Sequence, residues 1–283
     1  MKKIAYIIDS ACLLNEQEAY DYGLIYLPLQ VVINNKCFKE GRDLDHDYLI
    51  YSLSNKKDVA TSQPSPLDVE QLIERLKKEK YDCAIYASIG SGLSSTLNNV
   101  IAQADSMNFK IYPLDSCCVG TVQTVPLLKV RRLIEQDHME IEEALNIVRK
   151  DIENSRVYLV VDDLFFLMHG GRLTPAAAAL GTMLKIKPLL RLDIAQQGRI
   201  DVVEKIRSSK KAIKMLAKTA LDGIDENNYT IAIAQLEASD NVKLLKEEIM
   251  KINPKFKYKN YGISAVIAAH TGLNVVGILV VPK

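Results

Sequence analysis

Short apolar, β-branched runs alternate in this chain with stretches of helical periodicity, and each run ends in a polar turn. Ile4 to Ile8 is followed by Asp9-Ser10, Cys83 to Ala87 by Ser88 to Ser95, and Phe109 to Leu114 by Asp115-Ser116. Parallel strands need a crossover long enough to hold a helix, so this order describes βαβ units. It predicts an α/β protein with a largely parallel sheet, in which a small ligand is held at loops following the strands.

The intervening segments carry their own signals. Ser65 can cap a helix, Pro66 fits its first turn, and Asp68 completes a capping box. Val69, Leu72, Ile73 and Leu76 then share one face; Leu93, Leu97, Val100, Ile101 and Ala104 make another. Asn34-Asn35 inside Val31 to Phe38 predicts a hairpin, because Asn tolerates positive φ. A long helical stretch runs from Ser116 towards Gln136 with Pro126 as a kink, and another passes through Ile141, Leu145, Val148 and Ile152. The texture changes near Val157, which predicts two domains, 1–156 and 157–283. In the second, Leu164 to Met168 ends at Gly170-Gly171, and Thr174-Pro175 opens an alanine-rich helix. Outer helices are expected over Lys210 to Leu221 and Val242 to Ile252, and strands over Thr230 to Ala234 and Val275 to Val281.

Composition narrows the function. Lys and Arg total 36 against 35 acids, a net charge of +1, which argues against a broad nucleic-acid surface. At 283 residues and 48% hydrophobic content the chain can bury a sizeable core. No apolar stretch approaches the roughly 20 residues of a spanning helix. Asp9 interrupts the first apolar run, so a strand is expected there and not a signal peptide. Five cysteines without a CxxC pair suit neither a disulfide framework nor a zinc site, so the expected home is a reducing cytoplasm.

Four segments could carry chemistry. Gly90-Ser91-Gly92-Leu93-Ser94-Ser95-Thr96 follows a strand and opens a helix, where amides, hydroxyls and the helix dipole favour an anion. It lacks a P-loop lysine, the dinucleotide-loop spacing and a hydrolase elbow; simple capping of the helix competes with the anion reading. Thr61-Ser62, just outside the Ser65 helix, lack an evident structural duty. If the two turns meet, they offer neutral donors without a fixed cation, which suits a carboxylate better than a polyphosphate. His270 stands at the end of a small-residue run beside Thr271-Gly272, and Arg172 stands just past a helix end.

With Asp9-Ser10, Thr61 to Pro66, the Gly90 to Thr96 loop, Gly170-Gly171-Arg172 with Lys187-Pro188, and His270-Thr271-Gly272 in this order, the chain resembles the DegV family of bacterial lipid-binding proteins. Members of that family act as fatty-acid-binding subunits of fatty acid kinase. The resemblance implies a two-domain α/β fold with a mainly parallel sheet in the N-terminal domain, a second α/β domain, and an acyl-chain tunnel between them. It implies that Thr61 or Ser62, with Ser94 or Ser95, holds the carboxylate of a long-chain fatty acid, and that His270 and Arg172 lie near the head group. There they would assist a separate ATP-binding kinase subunit that makes the acyl phosphate. The chain itself would be non-catalytic, without metal or cofactor, and would touch a membrane only transiently to exchange lipid. Two positions depart from the family pattern: Ser95, where many relatives have glycine, and Leu273-Asn274, in place of the usual glycine and proline.

The residues alone leave further readings. Ala176 to Ala179 with Leu180, Met183, Leu184 and Ile186 could face an acyl chain or simply pack the core. Arg172 could join Lys185, Lys187 and Arg207 in a basic docking patch. A serine acyl hydrolase or acyltransferase would use Ser94 as nucleophile and His270 as base, with Asp115 as the one candidate to orient the imidazole. A lipid-sensing regulator would differ from a carrier only in its partner.

Overall fold

The structure, a computed structural model, describes residues 2–162, 164–179 and 186–283. β1 (Ile4–Asp9) leads through α1 (Glu16–Asp21) to β2 (Ile25–Leu27) and β3 (Gln30–Ile33). β4 (Lys36–Lys39), α2 (His46–Ser54), β5 (Val59–Ser62) and α3 (Pro66–Lys78) come next, then β6 (Cys83–Ser88), α4 (Thr96–Ser106) and β7 (Ile111–Asp115). Helices α5 (Thr121–Glu135) and α6 (Ile141–Glu153) precede β8 (Arg156–Val160), α7 (Phe165–Gly170) and α8 (Pro175–Ala178). Beyond them lie β9 (Leu189–Asp193), β10 (Arg199–Glu204), α9 (Ser209–Leu221), β11 (Tyr229–Leu236), α10 (Ser239–Ile252), β12 (Tyr258–Gly262), α11 (Ala265–Thr271) and β13 (Val275–Pro282).

The first sheet has the order β2-β1-β6-β7 and is parallel throughout, as βαβ units require. A small antiparallel sheet, β4-β3-β5, is built on the expected hairpin, with Asn34 at φ 48° and Asn35 at φ 62°. The second large sheet, β10-β9-β8-β13-β11-β12, differs in kind. All its pairings are antiparallel except β11 with β12. Strands β5, β9, β10 and β12 escape a reading based on apolar runs, because their exposed or half-exposed polar positions break the pattern.

Local signals act as their chemistry dictates. The Ser65 hydroxyl accepts the Asp68 amide at 3.1 Å, and α3 buries Val69, Leu72, Ile73 and Leu76. Thr174 caps α8 by accepting the Ala177 amide at 3.2 Å. Gly171, at φ 68°, closes α7 in the left-handed conformation. Pro126 sits inside α5, which begins at Thr121 and continues past it to Glu135.

Side-chain alternation sorts the strands into layers. In β1, Ala5 and Ile7 face a cluster under α3 and α4, while Tyr6 and Ile8 face the centre of the molecule. In β13, Val276, Ile278 and Val280 face α9 and α10, while Val275, Leu279 and Val281 face that same centre. Helix α5 fills the middle layer, packing on β1 and β6 from one side and on β13 from the other. The central cluster therefore runs continuously through both halves. Among the described residues, no helix is long and apolar enough to cross a membrane.

Leu127 of α5 is fully buried in this shared layer. Leu127→Ala should cost about 2–5 kcal/mol. Because the cluster is shared, hydrogen exchange should report lost protection in β6 and in β13 together. Protection lost in the first half alone would show that the halves unfold independently.

Candidate functional site

A cavity partly open to solvent, about 960 Å³ with the solvent space at its mouth included, lies between the inner face of the second sheet and the first half of the chain. Its apolar wall follows from strand alternation: Val157 and Leu159 of β8, Val275 and Leu279 of β13, and Ala234 of β11. Leu13 and Val119 close it from the opposite side. Among the described residues, the polar groups come from four separate segments: Thr61, Ser62 and Gln63 at and just past the end of β5, Ser94 from the glycine loop, Arg172 from the turn after α7, and His270 and Thr271 from the last turn of α11.

These side chains are joined by specific contacts. Thr61 Oγ1 and His270 Nε2 lie 2.8 Å apart, a hydrogen bond across 209 positions of sequence. His270 Nδ1 is buried and has no hydrogen-bonding partner among the described residues. The ring fits only because Gly170 has no side chain; a Cβ there would stand 2.1 Å from Nδ1. Burial, and after it the nearby Arg172 charge, lowers the His270 pKa to about 4, so the imidazole is neutral near pH 7. Arg172 is half-buried and is no solvated surface charge. Its Nε donates to the Leu93 carbonyl at 3.0 Å, another of its nitrogens donates to the Gly170 carbonyl, and burial lowers its pKa. Ser62 stands exposed at the rim.

The glycine loop differs from the anion cradle its composition suggests. The Gly90 amide goes to the Cys118 carbonyl, Ser91 to the Asp115 carboxylate, Gly92 to the Gln197 carbonyl, and Leu93 and Ser94 to the Gly90 carbonyl. Those amides are spent inside the fold, leaving the Ser94 hydroxyl as the group the loop offers the cavity. That hydroxyl lies 2.7 Å from Thr96 Oγ1 and also accepts the Thr96 amide. Gly92 is required for a steric reason, since a Cβ would meet the Gln196 carbonyl of the β9–β10 hairpin tip at 2.6 Å.

Other expected participants stand elsewhere. Ser95 is exposed and does not line the cavity. The Asp115 carboxylate accepts from the Ser91 and Cys117 amides, so it is committed away from His270. Among Ala176 to Ala179 only Ala177 is buried, and none lines the cavity; Ile186 is buried outside it. Leu180, Met183, Leu184 and Lys185 lie outside the described residues. Lys187 is paired with Asp162 at 2.5 Å, and Arg207 is exposed. Among the described residues there is no group of three or more His, Cys, Asp or Glu that could hold a metal ion.

Two buried carboxylates support the site without lining it. Asp9, fully buried, accepts from the Ile89 amide (2.7 Å), Gln123 Nε2 (2.8 Å), the Tyr86 hydroxyl (3.0 Å) and the Ala11 amide (3.1 Å). Glu40, 5% exposed, accepts through Oε1 from the amides of Ala265 and Val266, the first two residues of α11. Desolvation raises both pKa values, that of Glu40 to about 7. Glu40 stands between Lys39 and Gly41 with no sequence signal that marks it. Only the arrival of α11 over it, 225 positions later, reveals its place.

A family model described as "Uncharacterised protein, DegV family" matches residues 3–283. Protein DegV of Bacillus subtilis is 31% identical over 97% of this chain and 98% of its own length. A DegV domain-containing protein of Streptococcus pyogenes is 29% identical over 99% of each. Among solved structures, a fatty acid binding DegV family protein of Streptococcus agalactiae superposes with TM-score 0.88 at 29% identity, covering 100% of both chains. DegV of Bacillus subtilis, described as a fatty acid binding protein, does so with TM-score 0.85 at 30% identity and the same coverage.

A carboxyl whose pKa is raised by folding contributes stability that is complete below its ordinary pKa and lost as pH rises through the folded value. For Glu40 that window runs from about 4.5 to about 7, and Asp9 acts in the same direction. The thermal midpoint should therefore decline between about pH 4.5 and 7, and Glu40→Gln should flatten part of the decline. Melting curves across that range check this; an unchanged slope in the variant would assign the decline to other groups.

Proposed function

Because the chain belongs to the DegV family, we propose that it binds one long-chain fatty acid and presents it to a separate ATP-dependent kinase subunit for conversion to an acyl phosphate. The observation that carries this reading is the cavity, with hydroxyls, a neutral imidazole and an arginine grouped on one part of its lining and a continuous apolar wall elsewhere. A buried carboxylate is costly unless its oxygens are hydrogen-bonded. Thr61, Ser62 and Ser94 supply neutral donors for it, and Arg172 supplies a permanently positive field close by. The tail contributes most of the affinity, about 0.8 kcal/mol per buried methylene. Such a ligand would be exchanged with a membrane through transient contact.

In the transfer step a carboxylate oxygen of the bound acid attacks the γ-phosphorus of ATP and ADP leaves. The kinase subunit supplies the nucleotide. This chain holds the nucleophile in place and sets Arg172 and His270 where charge develops on the transferring group. It performs no chemistry of its own. The hydrolase alternative is weakened by two contacts: Ser94 is bonded to Thr96, and Asp115 is bonded to backbone amides. Neither belongs to a nucleophile, base and orienter chain.

Denaturing extraction of the purified protein should release one free fatty acid per chain; a nucleotide or sugar phosphate without lipid would sink the reading. Ser94→Ala should weaken binding of the acid by about 1.5–3 kcal/mol, the worth of a hydrogen bond to a charged acceptor. An alcohol of equal chain length should lose little. Equal losses would mean that Ser94 shapes the loop through Thr96 and does not read the head group.

Arg172→Ala and His270→Ala should keep lipid and lose acyl-phosphate formation with the kinase subunit. A pull-down separates docking from transfer, since a transfer role leaves an inactive complex intact. Wild-type turnover in the double variant would rule out both roles.

A further inference from the structure

The helix that carries His270 has an unusual anchor. Ser264, at its N-cap position, makes no capping hydrogen bond with its side chain. The first amides of an α-helix have no partner within the helix and must find one outside it. Those of Ala265 and Val266 both donate to one carboxylate oxygen of Glu40, which stands just past β4 in the first half of the chain. Helix α11 has only seven residues, so a tilt at its first turn is carried directly to its last. That last turn holds His270, bonded to Thr61 of β5, and β5 pairs with β3, whose other neighbour is β4. The small sheet thus grips both ends of α11, by Glu40 at the start and by Thr61 at the finish.

We propose that Glu40 is the positioning residue of the head-group site, holding His270 in register with Thr61 through helix α11 without touching the ligand. This rests on the fatty-acid reading only for its consequence on binding; the coupling between Glu40 and His270 stands without it. An ionised carboxylate makes stronger amide hydrogen bonds than a neutral one, so the two bonds to α11 strengthen as Glu40 loses its proton, even though burying that charge costs the fold stability over the same range. The titratable groups facing Glu40 are Asp9 at the end of β1, Tyr26 of β2 and Cys12. None of the three is a cation; burial first, and the Asp9 charge with it, raises the Glu40 pKa, while hydrogen bonds from Ser10 and from the Val266 and Ala265 amides hold the rise to about 7. His270 stays neutral down to about 4. A change at His270 near pH 7 therefore reports on Glu40 and not on its own protonation.

Imidazole ¹H–¹⁵N correlation spectra of the full chain, stripped of ligand and recorded from pH 5 to 9, test this directly. His270 is assigned against His46, His138 and His169 by its loss in His270→Asn. In the wild type the His270 signals should step near pH 7 while keeping the pattern of a neutral ring. In Glu40→Gln they should be flat and lie near the low-pH limit of the wild type. A flat wild-type response, or a step that survives in Glu40→Gln, would overturn the proposal, and the wild-type titration decides even if the variant does not fold. At pH 8, Glu40→Gln should bind palmitate several-fold more weakly and hexadecanol as well as the wild type does; unchanged palmitate affinity would also overturn it. Failure of the wild-type chain to bind palmitate at all would count against the fatty-acid reading alone, because the spectra require no ligand.

Discussion

A carboxylate withdrawn from water at the end of β1 ties together the segments on which the site is built. Asp9 gathers the amide that opens the glycine loop, the Tyr86 hydroxyl from β6 and the Gln123 amide from α5. Removing a carboxylate from solvent is expensive, and the cost is met only when several donors arrive together. That requirement links the register of the parallel sheet to the placement of α5. It also fixes where the loop bearing Ser94 departs from β6. Burial raises the Asp9 pKa even with all four bonds in place, so the arrangement holds the geometry at some cost in stability.

The seam between the halves follows the same logic with weaker partners. Helix α11 lies across β3 and β5, the β9–β10 hairpin tip rests on Gly92, and Arg172 reaches the Leu93 carbonyl. Each contact joins a segment of the second half to a segment of the first. The cavity lies along this seam because the inner face of the second sheet is apolar, while α5 covers only part of it. The polar lining collects where the crossing segments end, since strand and helix termini bring unpaired groups and short polar side chains with them.

Much of the architecture is written in local pattern. The runs at Ile4 and Cys83, the Asn34-Asn35 hairpin, the Ser65-Pro66 helix start and the Gly171 helix end all depend on chemistry within a few residues. Strand β5 is the instructive exception. Thr61 and Ser62 look like a free hydroxyl turn, yet they end an edge strand half exposed to solvent, which leaves no apolar alternation to detect. The glycine loop misleads in a related way. Its composition suits an anion cradle, but its amides are taken by the Gln197 and Cys118 carbonyls and the Asp115 carboxylate, which reach it from distant segments.

Propensity, capping and periodicity act over a turn or a strand, and so the α/β class, the parallel first sheet and most helices were already present in the order of the residues. The same order held the candidate polar groups Thr61, Ser62, Ser94, Arg172 and His270. Their meeting was settled elsewhere. Glu40 under α11, the Thr61–His270 bond and the exclusion of Ser95 and Asp115 from the site depend on contacts across tens to hundreds of positions. Such contacts leave no periodic trace in a chain. They arise when two sheets, each apolar on both faces, pack against shared helices, and the space left between them selects which side chains meet.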